Sequence, residues 1–246
     1  MTQKHFAFSP DYENLTSQYP YPKNGRLPQM NAASPRKCLT GLECLQLQQY
    51  AYEQLIYANK VSNVYKGVSA VVKALIIIIG LNTGLRITEL TSTCWGDFVI
   101  DSNCVFVRNG KGQKTRYVYY SPSIVNPIII DAHALFSKWK LPNKFDDWVF
   151  YSVTKERSYS QRALQLCMKK IITKLNIRNH LSPHSLRHSF AVNFYLASGK
   201  DIKAVQEQLG HTDIKTTQIY LSTLMPTINE TLRKMYPDFQ KSRCRL

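Results

Sequence analysis

Acidic residues are scarce in this chain, with 16 Asp and Glu against 32 Lys and Arg, and the formal charge is +16. A field of that sign gathers polyanions and speeds their encounter. Charge alone leaves DNA, RNA, an acidic membrane surface or no polyanion at all open. Paired cysteines are also missing. The six cysteines (Cys38, Cys44, Cys94, Cys104, Cys167, Cys244) form no C-x-x-C, which argues against zinc ribbons and fingers. Long apolar runs are lacking as well. Met1 to Tyr12 has no apolar core of a secretion signal, and Ala74–Gly80 is too short to cross a bilayer. That run is expected to be a buried helix. The default setting is therefore reducing and cytoplasmic, without a membrane partner.

What is present is ample apolar material, 44% of 246 residues, enough for one good-sized core with a smaller appendage. Prolines crowd the start: Pro10, Pro20, Pro22, Pro28 and Pro35 break any helix before Leu39. Residues 1–37 are expected to be an extended or disordered basic arm, with Lys23, Arg26, Arg36 and Lys37 available to a phosphate backbone.

Helical patterning begins at Thr40, whose Glu43 completes a capping box, and carries an apolar face through Leu42, Leu45, Tyr50, Leu55 and Ile56. A second helix is expected from about Ser69, its N-cap, to Asn82, with Gly84 breaking it; a third starts near Thr88. Strand signals follow at Phe98–Ile100, Cys104–Val107 and Tyr117–Tyr120. Asn109-Gly110 and Gly112 supply a turn between the last two, in a hairpin whose tip carries Lys111, Lys114 and Arg116. Helices are expected again over about 128–139, 161–175, 184–198, 202–209, 213–224 and 226–235. The fold class is mainly α with a small antiparallel β-sheet, α+β.

Four separated segments carry residues suited to phosphate chemistry. In Thr83-Gly84-Leu85-Arg86-Ile87-Thr88-Glu89-Leu90 a glycine turn delivers Arg86 to a helix start, with Glu89 one turn on. A guanidinium fork matches two phosphate oxygens, and the helix N-terminus adds to the anion preference. Taken alone, Arg86 and Glu89 would be a surface ion pair. In His184-Ser185-Leu186-Arg187-His188, Pro183 opens the helix and the three-residue spacing sets His184 and Arg187 on one face. Leu186, Phe190, Val192 and Phe194 are left for the core. His184 and His188 stand at metal-ligand spacing, but the usual third ligand is missing. Leu209-Gly210-His211 reads as a helix end with His211 in a tight turn, where a lone histidine would ordinarily be a cap. Tyr220 lies in Thr216-Thr217-Gln218-Ile219-Tyr220; it is one of 15 tyrosines, and a phenol with a pKa near 10 needs nearby cations to react at neutral pH.

Together these segments resemble the tyrosine recombinase (phage integrase) family. Residues 83–90 are similar to its first arginine box. His184-x-x-Arg187-His188, Leu209-Gly210-His211 and Thr216-Thr217-x-x-Tyr220 are similar to its second box in order and spacing. Gly110-Lys111-Gly112-Gln113-Lys114-Thr115-Arg116 resembles its lysine hairpin. The likeness runs from about residue 38 to residue 236 and implies the family's catalytic-domain fold.

The resemblance implies catalytic roles for Arg86, Lys111, His184, Arg187, His211 and Tyr220, with Glu89 and His188 in support. Arg86 and Arg187 would clamp the scissile phosphate and Tyr220 would attack it. Lys111, favoured over Lys114 because the motif aligns there, would protonate the leaving 5′ oxygen. Neither cofactor nor metal is called for. It further implies double-stranded DNA as partner, a homo-oligomer (tetramer) on DNA, and a catalytic unit over 38–224. Residues 225–246 would form a helix and basic tail docking in trans. Four helices of ordinary length need about 45 residues, so a full core-binding domain is not expected within the arm. An accessory DNA-binding protein could compensate for it. The expected activity is a site-specific recombinase of integrase, resolvase or invertase type, serving a mobile element. A type IB-like topoisomerase and a non-catalytic DNA-binding relative stand as alternatives.

Overall fold

The computed structural model describes residues 38–108, 115–177 and 181–210. The arm 1–37 and everything after Gly210, with the helices expected at 213–224 and 226–235, lie outside the described residues.

The helices are α1 (Gly41–Lys60), α2 (Val64–Thr83), α3 (Ile87–Ser92), α4 (Pro122–Lys138), α5 (Gln161–Lys174), α6 (Pro183–Ala197) and α7 (Ile202–Leu209). β1 (Phe98–Val99), β2 (Cys104–Val107) and β3 (Arg116–Tyr119) form an antiparallel sheet in that order; β4 (Tyr151–Ser152) and β5 (Arg157–Ser158) form a second, minimal hairpin. The expectation of a mainly helical protein with one small antiparallel sheet is met, with the second hairpin unforeseen.

The apolar run dictates the architecture. Ala74 to Ile79 have no exposed surface, because α2 passes through the middle of the molecule with α1, α4, α5 and α6 packed around it. By length and composition α2 could cross a membrane, yet most of its apolar stretch is buried inside this fold. A helix apolar all round is stable in water only when other elements cover every side of it. Gly67 gives the indole of Trp139 its place, since a Cβ there would sit 2.5 Å from the ring.

Thr40 caps α1 as read from the sequence, with its amide and hydroxyl both donating to Glu43. Gly84 ends α2 in the left-handed region at φ 64°, also as read. Two helix starts differ. α2 begins at Val64, capped by Asn63, whose side chain accepts the Lys66 amide, so Ser69 lies inside the helix. α4 begins at Pro122 rather than near Ile128, and Pro127 sits within it. A proline there removes the bond to the carbonyl four residues back, that of Ser123. Both residues are exposed, so water can satisfy that carbonyl.

Register sets what the sheet offers. Cys104 pairs with Tyr119 and Val107 with Arg116. Period two therefore puts Arg116 beside buried Val118 and turns Tyr117 and Tyr119 to solvent. The free edge of β3 is covered by a side chain: Gln208 Nε2 donates to the Tyr119 carbonyl at 2.5 Å, and the Tyr119 amide donates to Gln208 Oε1 at 3.3 Å. That amide grip brings the end of α7 against the sheet.

Candidate functional site

Two chain reversals meet at one end of α2. The first is Gly84, which stops α2 and hands the chain to Arg86 at the start of α3. The second is Gly210, at φ 64°, which ends α7. Both need glycine twice over, for the left-handed backbone and for room. A Cβ on Gly84 would meet Phe190 Cδ1 at 2.5 Å, and one on Gly210 would meet the Nε of Arg116 at 2.6 Å.

Arg187 is the deepest cation at this junction. Pro183 opens α6 as expected, and Leu186, Phe190 and Val192 are buried, with partly buried Phe194 stacked on Phe190. Arg187 is 2% exposed; its Nη1 donates to the Gly84 carbonyl at 2.5 Å and its Nη2 to the Leu209 carbonyl at 2.8 Å. Both acceptors are neutral, so its charge is positioned without being neutralised by either. His184 is exposed and His188 half-buried, whereas Arg187 faces inward. Three residues of helix turn about 300°, so at the edge of the core this spacing separates His184 in solvent from Arg187 beneath.

Arg86 is held differently. Its amide donates to Glu89 Oε2 at 2.8 Å, its Nη1 to Oε1 at 3.0 Å, and its Nη2 to the Gly210 carbonyl at 3.3 Å. Glu89 is no surface partner, being 3% exposed. The same carboxylate takes both ends of a second guanidinium: Arg116 Nη1 reaches Oε1 at 2.8 Å and Nη2 reaches Oε2 at 3.0 Å. Burial pushes the Glu89 carboxyl up, but the hydrogen bonds and charges of Arg116 and Arg86 outweigh it and hold it below its ordinary range.

Each guanidinium therefore reaches across to the other's reversal. Arg187 bonds Gly84, two residues before Arg86, and Leu209, while Arg86 bonds Gly210, next to Leu209. Side chains 101 positions apart are locked to one pair of turns (Arg86 against Arg187). Two guanidiniums gathered at the end of an apolar helix are suited to grip an anion with two exposed oxygens.

The stems of the hairpin are anchored as well. Arg108, at the end of β2, donates to buried Asp97 at 2.6 Å and to Asp146 at 3.1 Å, and stacks over Phe145. Arg116 anchors the other stem through Glu89. Lys111 and Lys114, between the stems, lie outside the described residues, as do His211 and Tyr220. Among the described residues, then, Arg86, Arg187 and Glu89 are brought together, and His184 and His188 lie on the same helix as Arg187. The sequence put Arg116 at the hairpin tip, whereas it is the first residue of β3, paired with Val107, and it gave neither Arg116 nor Gln208 a role. Strand alternation would have put Arg116 on the buried face, but nothing local identified Glu89 as its partner. No group of three or more metal-ligating side chains gathers among the described residues.

Comparison with known proteins gives the same outline. The profile of the phage integrase family matches residues 46–225. A tyrosine recombinase XerC of Pediococcus pentosaceus is 31% identical over 159 residues, covering 63% of this chain and 51% of the relative. A XerC of Xanthomonas axonopodis pv. citri is 38% identical over 141 residues, covering 56% of this chain and 43% of that one. The chain thus spans about half the length of these curated relatives. Among solved structures, the XerH site-specific recombinase bound to its difH substrate superposes with a TM-score of 0.61 at 21% identity, over 87% of this chain and 57% of that one. At that identity the likeness speaks for the fold, a tyrosine recombinase catalytic-domain fold.

Proposed function

Because the chain belongs to the phage integrase family, we propose that it is a tyrosine-type site-specific DNA recombinase, of integrase, resolvase or invertase type. The observation that carries the proposal is the mooring of Arg86 and Arg187 to the same two turns, Gly84 and Leu209-Gly210. A phosphodiester in that corner would find both of its non-bridging oxygens opposite a guanidinium fork.

In the proposed reaction the Tyr220 oxygen attacks phosphorus in line, and the bond to the 5′ oxygen breaks. A 3′-phosphotyrosyl link forms and a 5′-hydroxyl is released. The leaving oxygen takes its proton from Lys111, and the phenolic proton leaves through the histidines, His184 and His211. The two arginines offset the charge that builds on the equatorial oxygens, where preorganised donors act most strongly. The energy of the broken bond is kept in the ester, so a second DNA end can displace Tyr220 and reseal the strand. His188 and Glu89 keep geometry. The partner is double-stranded DNA, engaged by a homo-oligomer, and the charge of +16 supplies long-range attraction. A tetramer, an accessory DNA-binding protein, a cytoplasmic setting and a mobile-element role belong to the same proposal.

The test is covalent trapping. Denatured protein recovered from cells should carry DNA, and sequencing that DNA gives the site. A duplex of that sequence, nicked near the crossover point, should yield a denaturant-resistant adduct with the native chain and none with Tyr220→Phe. Equal adduct from the Phe variant would dismiss Tyr220 as nucleophile. Exchange of strands between two duplexes is expected; resealing confined to the same strand would favour the topoisomerase alternative.

A further inference from the structure

Arg116 is absent from the chemistry proposed above, yet the site is built around it. It stands at the first position of β3, at the stem of the lysine hairpin, and turns inward beside Val118. Both of its terminal nitrogens are spent on the two oxygens of Glu89. Those oxygens also hold the amide and the Nη1 of Arg86. Its stem lies against the α-carbon of Gly210, where a methyl group would fall 2.7 Å from Cδ and 2.8 Å from Cζ. The carbonyl of that same Gly210 accepts from Arg86. Among the described residues the Nε of Arg116 is buried with no hydrogen-bond partner, so its terminal nitrogens to Glu89 are the polar contacts that hold the group.

This is a costly arrangement for a residue with only a structural part to play. A bidentate pair sequestered from water contributes little net stability over an apolar replacement, but it fixes direction in a plane. Here that plane orients Glu89, Glu89 orients Arg86, and the aliphatic stem props the turn that leads into His211.

We propose that Arg116 is a positioning residue of the strand-transfer reaction: gripping Glu89 and bracing Gly210, it makes the lysine-hairpin stem, Arg86 and the α7 end one rigid unit. The idea rests on the recombinase reading above. It assigns Arg116 no contact with DNA.

The test uses the full chain and the nicked duplex recovered by trapping, with single-turnover adduct formation measured across protein concentrations. Arg116→Ala is expected to slow the rate at saturation about 100-fold, the scale of an ångström-sized misplacement at a reacting centre. The half-saturating protein concentration should move less than about threefold, since no DNA contact is lost. Arg116→Lys keeps the charge but cannot hold both carboxylate oxygens, so it is expected to be slow as well. It guards against misfolding, because retained duplex binding shows an intact fold. The combined Arg86→Ala, Arg116→Ala protein should lose clearly less than the product of the two single losses, because one of the two routes by which Arg116 acts runs through Arg86. Near-native rates in Arg116→Lys, or additive losses in the double variant, would overturn the proposal. An active native chain with an indifferent Arg116 sinks this inference alone; a native chain that forms no adduct sinks the recombinase reading and this inference with it.

Discussion

The two arginines of the site are the same residue type put to work by opposite means. Arg187 is 2% exposed, and backbone carbonyls of Gly84 and Leu209 fix its two terminal nitrogens. The Arg86 side chain is 22% exposed and held by a carboxylate. It would be neutralised were that carboxylate not shared with Arg116. Two guanidiniums on one Glu89 leave a net positive charge on the trio. A guanidinium can thus be aimed either by peptide carbonyls or by a carboxylate claimed twice. The second arrangement reaches further, because Glu89 links α3 to β3 and so to the hairpin.

The largest effect should come from the corner held by carbonyls. Arg187→Lys replaces a planar fork with a single ammonium that cannot hold Gly84, Leu209 and a phosphate together. Adduct formation should fall about 100- to 1,000-fold, the scale for losing one donor to a transition-state oxyanion. A loss below tenfold in single-turnover assays would make the two corners unequal partners.

Glu89→Gln should act chiefly on stability, by about 3 kcal/mol, because a buried carboxylate that two partly buried guanidiniums share is lost. The pH dependence has a definite sign. The folded carboxyl lies below its ordinary value of 4.5, so its contribution is complete above that pH and is lost as pH falls through the lower folded value. Denaturant melts of native and Glu89→Gln protein should therefore converge as pH drops below 4.5. A gap constant across that range would mean that Glu89 is not held as described.

A smaller loss is expected from Gly84→Ala, about 1–3 kcal/mol from the left-handed backbone, beyond any clash with Phe190. It should lower the melting temperature and slow the adduct together, since the carbonyl that holds Arg187 moves with it. Unchanged kinetics in a destabilised protein would separate the turn from the Arg187 corner.

Much of this was legible in the sequence where the signal is local. The Thr40–Glu43 box, the glycine stop after α2 and Pro183 at the head of α6 each concern neighbours along the chain, and each stands where the residues put it. The misplaced starts of α2 and α4 have a common cause. Gly67 and Pro127 are poor helix formers near those starts, yet both are helical: Trp139 packs against the one, and water can reach the carbonyl that the other leaves free. The second hairpin has two residues per strand, too few for alternation to register. At the site, the arginines could be read from their motifs, whereas Arg116 needed the fold, its carboxylate lying 27 positions away. Lys111, His211 and Tyr220 remain as the sequence proposes them.

The most direct test of the account is the structure of Tyr220→Phe bound to the trapped duplex. One phosphate is predicted within about 2.7–3.2 Å of donors from both Arg86 and Arg187, with the ring of residue 220 in line behind it. A phosphate touched by only one of these guanidiniums, or a ring turned away from phosphorus, would contradict it.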